Sequence, residues 1–193
     1  MPLVNNMKYF FLFFLLSHCC TAATLSLVPS AGQVNSGSTF SLAVMISNVT
    51  DLYAYELGMT FNSALVAGEL IGEREFLPSG GATNFVPGAF DNLSGVLSAS
   101  AGLLTGLNPG VSGSGVLMEL TFSAHSPGTA VFDLADIILL DSNLNDIPFT
   151  VESGSVTIID PSPVPEPLGL HMLLAGALIL VVASSRLRTA SKQ

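Results

Sequence analysis

An all-β sandwich of jelly-roll type, with one membrane-spanning helix near its C-terminus, is the fold that this sequence predicts. Apolar residues alternate with polar ones in several short segments, which is the period-two pattern of half-buried strands. Turns rich in Gly, Pro, Asn and Ser separate these segments, and no helical periodicity occurs between them. The strongly apolar blocks, residues 9–16 and 168–183, lie at the two ends of the chain.

Composition supports this division into a polar middle and two apolar ends. The chain has 193 residues, of which 49% are hydrophobic and only 10% are charged, with a mean hydropathy of +0.63. Residues 24–164 contain thirteen acidic residues against one basic residue, Arg74, which is a net charge of −12. Such a surface repels phosphate backbones and excludes nucleic acid as a partner. The excess carboxylates either attract divalent cations such as calcium or keep an exported protein soluble.

The N-terminus has the layout of a secretory signal peptide, residues 1–23. Lys8 supplies its positive charge, residues 9–16 its apolar segment, and small residues at 21–23 its cleavage site, after Ala22 or Ala23. Cys19 and Cys20 lie here, and lipidation of Cys19 is the alternative. His18 stands where a lipoprotein signal needs a small residue, so removal of the whole segment is favoured. The mature chain then contains no cysteine and no disulfide.

Nine strands are expected in the domain that follows, residues 24–160. Three segments alternate most clearly, with these side chains assigned to the core: Phe40, Leu42, Val44 and Ile46; Tyr53, Tyr55, Leu57, Met59 and Phe61; Met118, Leu120, Phe122 and Ala124. Further strands are predicted over residues 25–28, 65–71, 95–101, 129–134, 137–140 and 149–158. Turns are predicted at residues 48–51, 62–63, 78–81, 108–110, 126–128 and 143–146.

The order of these segments resembles a cohesin domain. The matching pieces are GQVNSGSTFSLAVMISNV, YAYELGMTFNSALVAGELI, GSGVLMELTFSAHSPGTAVFDL and the closing LLDSNLNDIPFTVESGSVTI. The resemblance implies a nine-stranded jelly roll related to carbohydrate-binding modules, which docks the dockerin module of a partner protein through one sheet face. No short motif identifies that face, and residues 73–107 match the family least.

The C-terminus resembles the PEP-CTERM sorting signal of Gram-negative bacteria. A proline-rich linker, residues 161–167, ends in Pro165, Glu166 and Pro167, and residues 168–185 form an uncharged stretch about 27 Å long as a helix. Arg186 and Arg188 begin a basic tail, residues 186–193, which holds that end in the cytoplasm. The resemblance implies that an exosortase removes the tail during export to the envelope or outside. An ordinary single-span anchor is the alternative.

Candidate catalytic residues are few. His125 stands in a Ser-Pro-Gly turn, without the serine and acid arrangement of a triad. Glu56, Glu119, Asp133 and Asp136 could serve a glycosidase only as acidic pairs, and solvated strand faces explain them more simply. Hence no enzyme activity is expected.

A calcium loop is a weaker candidate. Asp141, Asn143 and Asn145 alternate as EF-hand ligands do, and Glu152 stands at the twelfth position. Asp146, however, stands where the loop needs glycine, so a β-hairpin turn is favoured and no cofactor is assigned. Asn48 and Asn92 begin Asn-X-Ser/Thr sequons, which we interpret as turns.

The sequence therefore predicts an exported, non-catalytic binding module for a dockerin-type partner. Outward-facing Ala43, Met45, Ala54 and Leu117 are candidates for an apolar docking patch. The alternatives are a polysaccharide-binding module, disfavoured because the chain lacks Trp and because Tyr53 and Tyr55 are assigned to the core, and a purely structural matrix protein.

Overall fold

The computed structural model describes residues 22–161, which form two packed β-sheets. No α-helix occurs in this range, whose only helical element is a 3₁₀ turn at Leu77–Gly80. The strands are β1 Ala23–Pro29, β2 Gln33–Asn35, β3 Thr39–Leu52, β4 Ala54–Phe61, β5 Val66–Glu73, β6 Thr83–Val86, β7 Phe90–Asp91, β8 Val96–Leu104, β9 Val111–Ala124, β10 Gly128–Leu140, β11 Phe149–Glu152 and β12 Gly154–Ile159.

The first sheet has five strands in the order β11-β1-β3-β9-β5. The second has seven, in the order β2-β12-β10-β4-β8-β6, with β7 also pairing with β8. Neighbouring strands are antiparallel except in two pairs, β1–β11 and β2–β12. Consecutive strands mostly alternate between the sheets, so nearly all pairing is between segments distant in sequence. The predicted all-β sandwich is confirmed.

The inward faces of both sheets form one core. Phe122 lies at its centre, with ring centroids 5.0 Å from Phe132, 5.3 Å from Phe61 and Phe90, and 5.9 Å from Phe40. Each such aromatic pair contributes about 0.5–1.5 kcal/mol beyond the burial of its surface. Because these rings come from both sheets, the cluster joins the two layers. The core assignments for the three clearest segments are confirmed, except at Tyr53.

Tyr53 was assigned to the core, but it is only half-buried and precedes β4. Its backbone N–H donates to Leu140 O at 2.8 Å and its hydroxyl donates to Gly106 O at 2.7 Å. The phenol thus reaches the polar loop after β8, where its oxygen finds a partner.

Leu117 was predicted to face outward, and this was wrong, because its side chain is completely buried. In the pairing of β3 with β9, Val44 lies opposite Met118 and Met45 lies opposite Val116. Leu117 is therefore the extra residue of a β-bulge, which interrupts strict alternation and turns two successive side chains away from solvent.

Two predicted breaks are also bulges inside longer strands. The predicted turn at residues 48–51 lies within β3, where Asn48 and Asp51 have φ values of 57° and 60°. Strands predicted at 129–134 and 137–140 are one strand, β10, with Asp136 at φ 48°. Asn and Asp tolerate left-handed backbone, so these residues accommodate an extra position without ending the strand. Conversely, the strand predicted at 149–158 divides into β11 and β12.

The strand count is twelve in the described range, not nine. The additional elements are short, and three of them, β2, β6 and β7, lie in segments where alternation is too brief to identify a strand. The last two, β6 and β7, belong to residues 73–107, the part of the sequence that resembled the cohesin family least.

Candidate docking face

The outward face of the seven-stranded sheet presents two rows of apolar side chains. In one row, Val86 of β6 pairs with Ala101 of β8, which pairs with Glu56 of β4, which pairs with Ile138 of β10. In the next row, Asn84, Leu103, Ala54 and Leu140 occupy the same strands. These positions point outward because the residues between them, Tyr55 and Leu139, are buried.

Six large apolar side chains of this sheet are open to solvent. They are Val86 at 53%, Val131 at 46%, Ile138 at 44%, Leu103 at 39%, Val96 at 38% and Ile159 at 37% exposure. They lie on four strands, β6, β8, β10 and β12, and are spread across the sheet rather than confined to one edge. Apolar residues grouped on one face in this way are typical of an interaction surface.

Carboxylates interrupt and surround the apolar rows. Glu56 lies between Ala101 and Ile138, Asp133 lies opposite Thr60, and Asp136 lies in the bulge of β10. The Ser153 hydroxyl donates to Asp133 Oδ1, which fixes this carboxylate beside the strand. Since no basic residue lies on these four strands, the face combines apolar contact area with negative charge.

The outward face of the five-stranded sheet is more polar. Ser26, Ser41, Ser47, Thr121 and Glu119 lie there, and the exposed apolar residues Val28 and Leu70 lie at its margins. A shallow groove of about 440 Å³ on this face is lined by Val28, Ala43, Arg74, Val116 and Glu119, among others.

Arg74 is bound to Glu119 beside this groove. Its Nε donates to Glu119 Oε2 at 2.7 Å, and its terminal nitrogen donates to the same oxygen. A hydrogen bond from Ser41 and then the Arg74 guanidinium hold the pKa of Glu119 below its usual range. Both side chains are partly exposed, so the pair adds little to stability. The one cation of the described range is thus paired on the opposite sheet from the apolar rows.

The docking patch predicted from sequence does not exist as one surface. Ala43 and Met45 lie on the five-stranded sheet, Ala54 lies on the seven-stranded sheet, and Leu117 is buried. The residues that the prediction missed are Val86, Leu103, Val131 and Ile138. Strand alternation could not show that β6, β8 and β10 belong to one sheet. It also could not show that Val131 and Ile138, seven positions apart on β10, share a face, because the bulge between Ala135 and Ile138 shifts the alternation.

The acidic catalytic candidates do not form one group. Glu56, Asp133 and Asp136 lie on the seven-stranded sheet, and Glu119 lies on the other. His125 is exposed after β9, and its Nε2 lies 2.9 Å from Ser123 Oγ, a contact that the sequence did not predict. Strand positions i and i+2 share a face, which brings these two side chains together. In the described residues, His125 has no carboxylate partner to orient it as a triad requires.

The candidate calcium loop forms a self-capped turn. Asp141 Oδ1 accepts hydrogen bonds from the backbone N–H groups of Asn143 and Asn145, both at 2.8 Å. The Asn145 side chain and these backbone donors hold the pKa of Asp141 below its usual range. Glu152 lies on β11, where it pairs with Ser26. Within residues 22–161 no group of three or more His, Cys, Asp or Glu side chains is placed to hold a metal ion. The turn capped by Asp141 agrees with the β-hairpin turn that was favoured from the sequence over a calcium loop.

Aromatic platforms for a polysaccharide are not found on the described surface. All ten aromatic side chains in the described range are buried or half-buried: Phe40, Tyr53, Tyr55, Phe61, Phe76, Phe85, Phe90, Phe122, Phe132 and Phe149.

The predicted export and sorting elements fall outside the described residues. This applies to residues 1–21 of the signal peptide, to Pro165, Glu166 and Pro167, to the predicted helix 168–185, and to Arg186 and Arg188. Between residues 22 and 161, the chain forms no helix of the length and hydropathy needed to cross a membrane.

Comparison with solved structures identifies the fold. The chain is similar to a non-cellulosomal cohesin from the archaeon Archaeoglobus fulgidus, with a TM-score of 0.57 and 15% identity over 72% of this chain and 92% of that one. It is also similar to a chain of a type I cohesin–dockerin complex from Clostridium thermocellum, with a TM-score of 0.56 and 16% identity over 70% and 99%.

A third similar structure is the cohesin module of a family 33 glycoside hydrolase from Clostridium perfringens, with a TM-score of 0.57 and 14% identity over 72% and 98%. No family model and no curated protein matches the chain. The described domain therefore has a cohesin-like β-sandwich fold.

Proposed function

We propose that this protein is an exported, non-catalytic binding module that docks a dockerin-type protein partner at the cell envelope or in the extracellular matrix. The observation that carries the proposal is the outward face of the seven-stranded sheet, with Val86, Val96, Leu103, Val131 and Ile138 exposed among carboxylates. We name this surface the docking face.

The chemistry of the docking face suits a protein partner. Stable protein interfaces bury about 800 Å² on each side, with an apolar centre and a polar rim. Rows of Val, Leu and Ile side chains supply such a centre, and Glu56, Asp133 and Asp136 supply negative charge within and around it. A partner surface that carries apolar side chains flanked by Lys or Arg would complement this arrangement.

The similar structures support the choice of partner class. One of them is a chain of a cohesin–dockerin complex, to which this domain is similar in fold. The lack of an exposed aromatic side chain in the described residues gives a polysaccharide less to bind. Polysaccharide retention therefore serves as an alternative outcome of the binding test rather than as a second proposal.

Binding of the purified exported protein to dockerin modules, measured by calorimetry with and without calcium, tests this function. We expect Val86→Asp and Ile138→Asp to weaken binding at least tenfold, because each places a charge within the apolar contact area of the docking face. Leu70→Asp places the same charge on the five-stranded sheet and is the matched control. Equal losses in all three variants, or retention of the protein only by polysaccharides, would refute the proposal.

Delivery of the module is part of the same proposal. The predicted N-terminal signal peptide directs export, and the PEP-CTERM-like segment with Pro165, Glu166, Pro167, Arg186 and Arg188 anchors the chain in the inner membrane until an exosortase removes the tail. Mass spectrometry of the exported protein tests this step. A C-terminus that still ends at Gln193 would refute sorting by cleavage.

A further inference from the structure

The first strand begins at the point where the predicted export signal ends. Ala23 is the first residue of β1, is only 2% exposed, and lies opposite Phe149 of β11. Its backbone N–H donates to Pro148 O at 3.0 Å. Ala22, by contrast, belongs to no strand and is half-buried. The sandwich therefore includes Ala23 as a packed and hydrogen-bonded residue, whereas Ala22 lies outside it.

We propose that the export signal is removed between Ala22 and Ala23, so that the mature chain begins on the first residue of β1 and its new α-ammonium group retains the hydrogen bond to the Pro148 carbonyl. A signal peptidase supplies the catalyst and water is the co-reactant. Hydrolysis leaves a carboxylate on Ala22 and gives the water hydrogens to the Ala23 nitrogen, which becomes an ammonium group at neutral pH. The inference depends on the proposed export of the chain.

Cleavage one residue later fits the sandwich less well. It would remove a buried side chain from the start of β1, together with the hydrogen bond to Pro148 and the register position opposite Phe149. Both sites place small residues at the two positions before the cut that signal peptidase inspects, Cys20 and Ala22 for the first site and Thr21 and Ala23 for the second, so the packing of Ala23 distinguishes them. Of the two sites that the sequence leaves open, the structure therefore favours the first.

The surroundings of Ala23 suit a positive charge. A cavity of about 330 Å³ is lined by Ala23 and Pro148 and by three carboxylate residues, Asp51, Asp141 and Asp146. Asp51 binds Ser142 and Gly110, and Asp141 caps its own turn, so both carboxylates are held in place. The Asp146 side chain makes no hydrogen bond to any described residue. Carboxylates on the lining of the same cavity favour the charged form of an amine, so we expect them to offset part of the desolvation of the ammonium group.

The N-terminal residue of the exported protein tests the site directly. The full chain is expressed with export in a Gram-negative host, and its N-terminal peptide is sequenced by mass spectrometry. We expect a chain that starts at Ala23. A start at Thr24 would overturn the inference while leaving export intact. A chain that retains residues 1–22 would overturn the inference together with the proposed signal peptide.

The environment of the new amine can be measured separately. Lysine occurs only at positions 8 and 192, so the α-amine of Ala23 is the one amine of the exported chain apart from Lys192. Acetylation of this amine, followed peptide by peptide, should be at least tenfold slower in the native protein than in urea, because the hydrogen bond to Pro148 O and the positive charge of the group both oppose its reaction. Equal rates in the native protein and in urea would overturn the proposed hydrogen bond between the ammonium group and Pro148 O.

Two variants, each of which removes one negative charge, test whether the carboxylate of Asp146 stabilises the ammonium group. Asp146→Asn should raise the native acetylation rate about threefold, because loss of a neighbouring negative charge lowers the pKa of the amine. Glu69→Gln removes the same charge from an exposed position on β5 and should leave the acetylation rate unchanged. An Asp146→Asn rate equal to that of Glu69→Gln would overturn the electrostatic part of the inference.

Discussion

The side-chain amide of Asn92 pairs with the peptide group of Gly68 as a neighbouring strand would. Asn92 Oδ1 accepts a hydrogen bond from Gly68 N at 2.7 Å, and its Nδ2 donates to Gly68 O at 3.0 Å. Gly68 lies on β5, the edge of the five-stranded sheet, and Asn92 lies in the turn between β7 and β8 of the other sheet. Asn92, a residue of a predicted turn, therefore satisfies the backbone N–H and C=O of Gly68 on the edge strand of the opposite sheet.

Replacement of Asn92 should destabilise the fold. In Asn92→Ala, the partly buried N–H and C=O of Gly68 lose both partners, at a cost of about 1–3 kcal/mol in the free energy of unfolding. Urea denaturation measures the change. Asn143→Ala, at an exposed turn position, is the control and should stay within about 0.5 kcal/mol of the wild type. Equal effects of the two variants would contradict a structural role for Asn92.

Glycines within β5 should respond differently to the same substitution. A methyl group on Gly68 would lie 2.3 Å from the Phe90 ring, so Gly68→Ala must displace a member of the aromatic cluster, at about 1–3 kcal/mol. Gly72 has nothing within 4 Å of the same position. Gly72→Ala should be neutral or stabilising, because alanine restricts the unfolded chain. The difference in melting temperature between these two variants measures the close approach at Gly68.

The bulge at Leu117 can be tested by truncation of the side chain. Leu117→Ala should cost about 2–5 kcal/mol, the usual range for a fully buried leucine. Leu107 is completely exposed at 105%, so Leu107→Ala is the matched control and should change stability by less than about 0.5 kcal/mol. A small effect at Leu117 would mean that strict alternation holds through β9 and that the side chain faces solvent.

Asp51 should make stability depend on acid pH. The Ser142 hydroxyl, at 2.6 Å, is the main cause that holds its pKa below the reference value of 3.8, and the Gly110 and Ser142 N–H groups add to it. Because the folded pKa is the lower one, the stabilisation is complete above 3.8 and is lost as the pH falls through the folded value.

Asparagine tests this dependence at the same position. Asp51→Asn keeps an acceptor oxygen and tolerates the φ of 60°, so the variant should fold. It should lose less stability than the wild type between about pH 5 and about pH 2, measured by urea denaturation at each pH. Parallel stability curves for the two proteins would show that Asp51 does not titrate with unfolding.

Much of the sandwich could be predicted because alternation is a local property. Leu42, Val44 and Ile46 share a face wherever β3 lies, and their burial follows from the pleat of a single strand. The positions where prediction failed involve contacts between strands. Leu117 is buried because Val44 and Met45 of β3 pair around it, and residues 48–51 remain in a strand because β9 pairs with both sides of the bulges.

The residues of the docking face could not be grouped from the sequence, for a related reason. Val86, Leu103 and Ile138 belong to β6, β8 and β10, which are separated by up to about fifty residues in sequence. Their strands adjoin because β4 lies between β8 and β10 in the sheet order. A one-strand pattern contains no information on that order.

By itself, the sequence determined that the domain is all-β and which residues of the clearest strands point inward. The export and sorting signals at the two ends remain predictions from the sequence. Only the tertiary structure decided which sheet each strand joins, that Ala43 and Ala54 lie on opposite layers, and that Ala23 belongs to the sandwich. The physical reason is that the pleat of a strand is set by its own backbone, whereas sheet order and bulges are set by hydrogen bonds between distant segments.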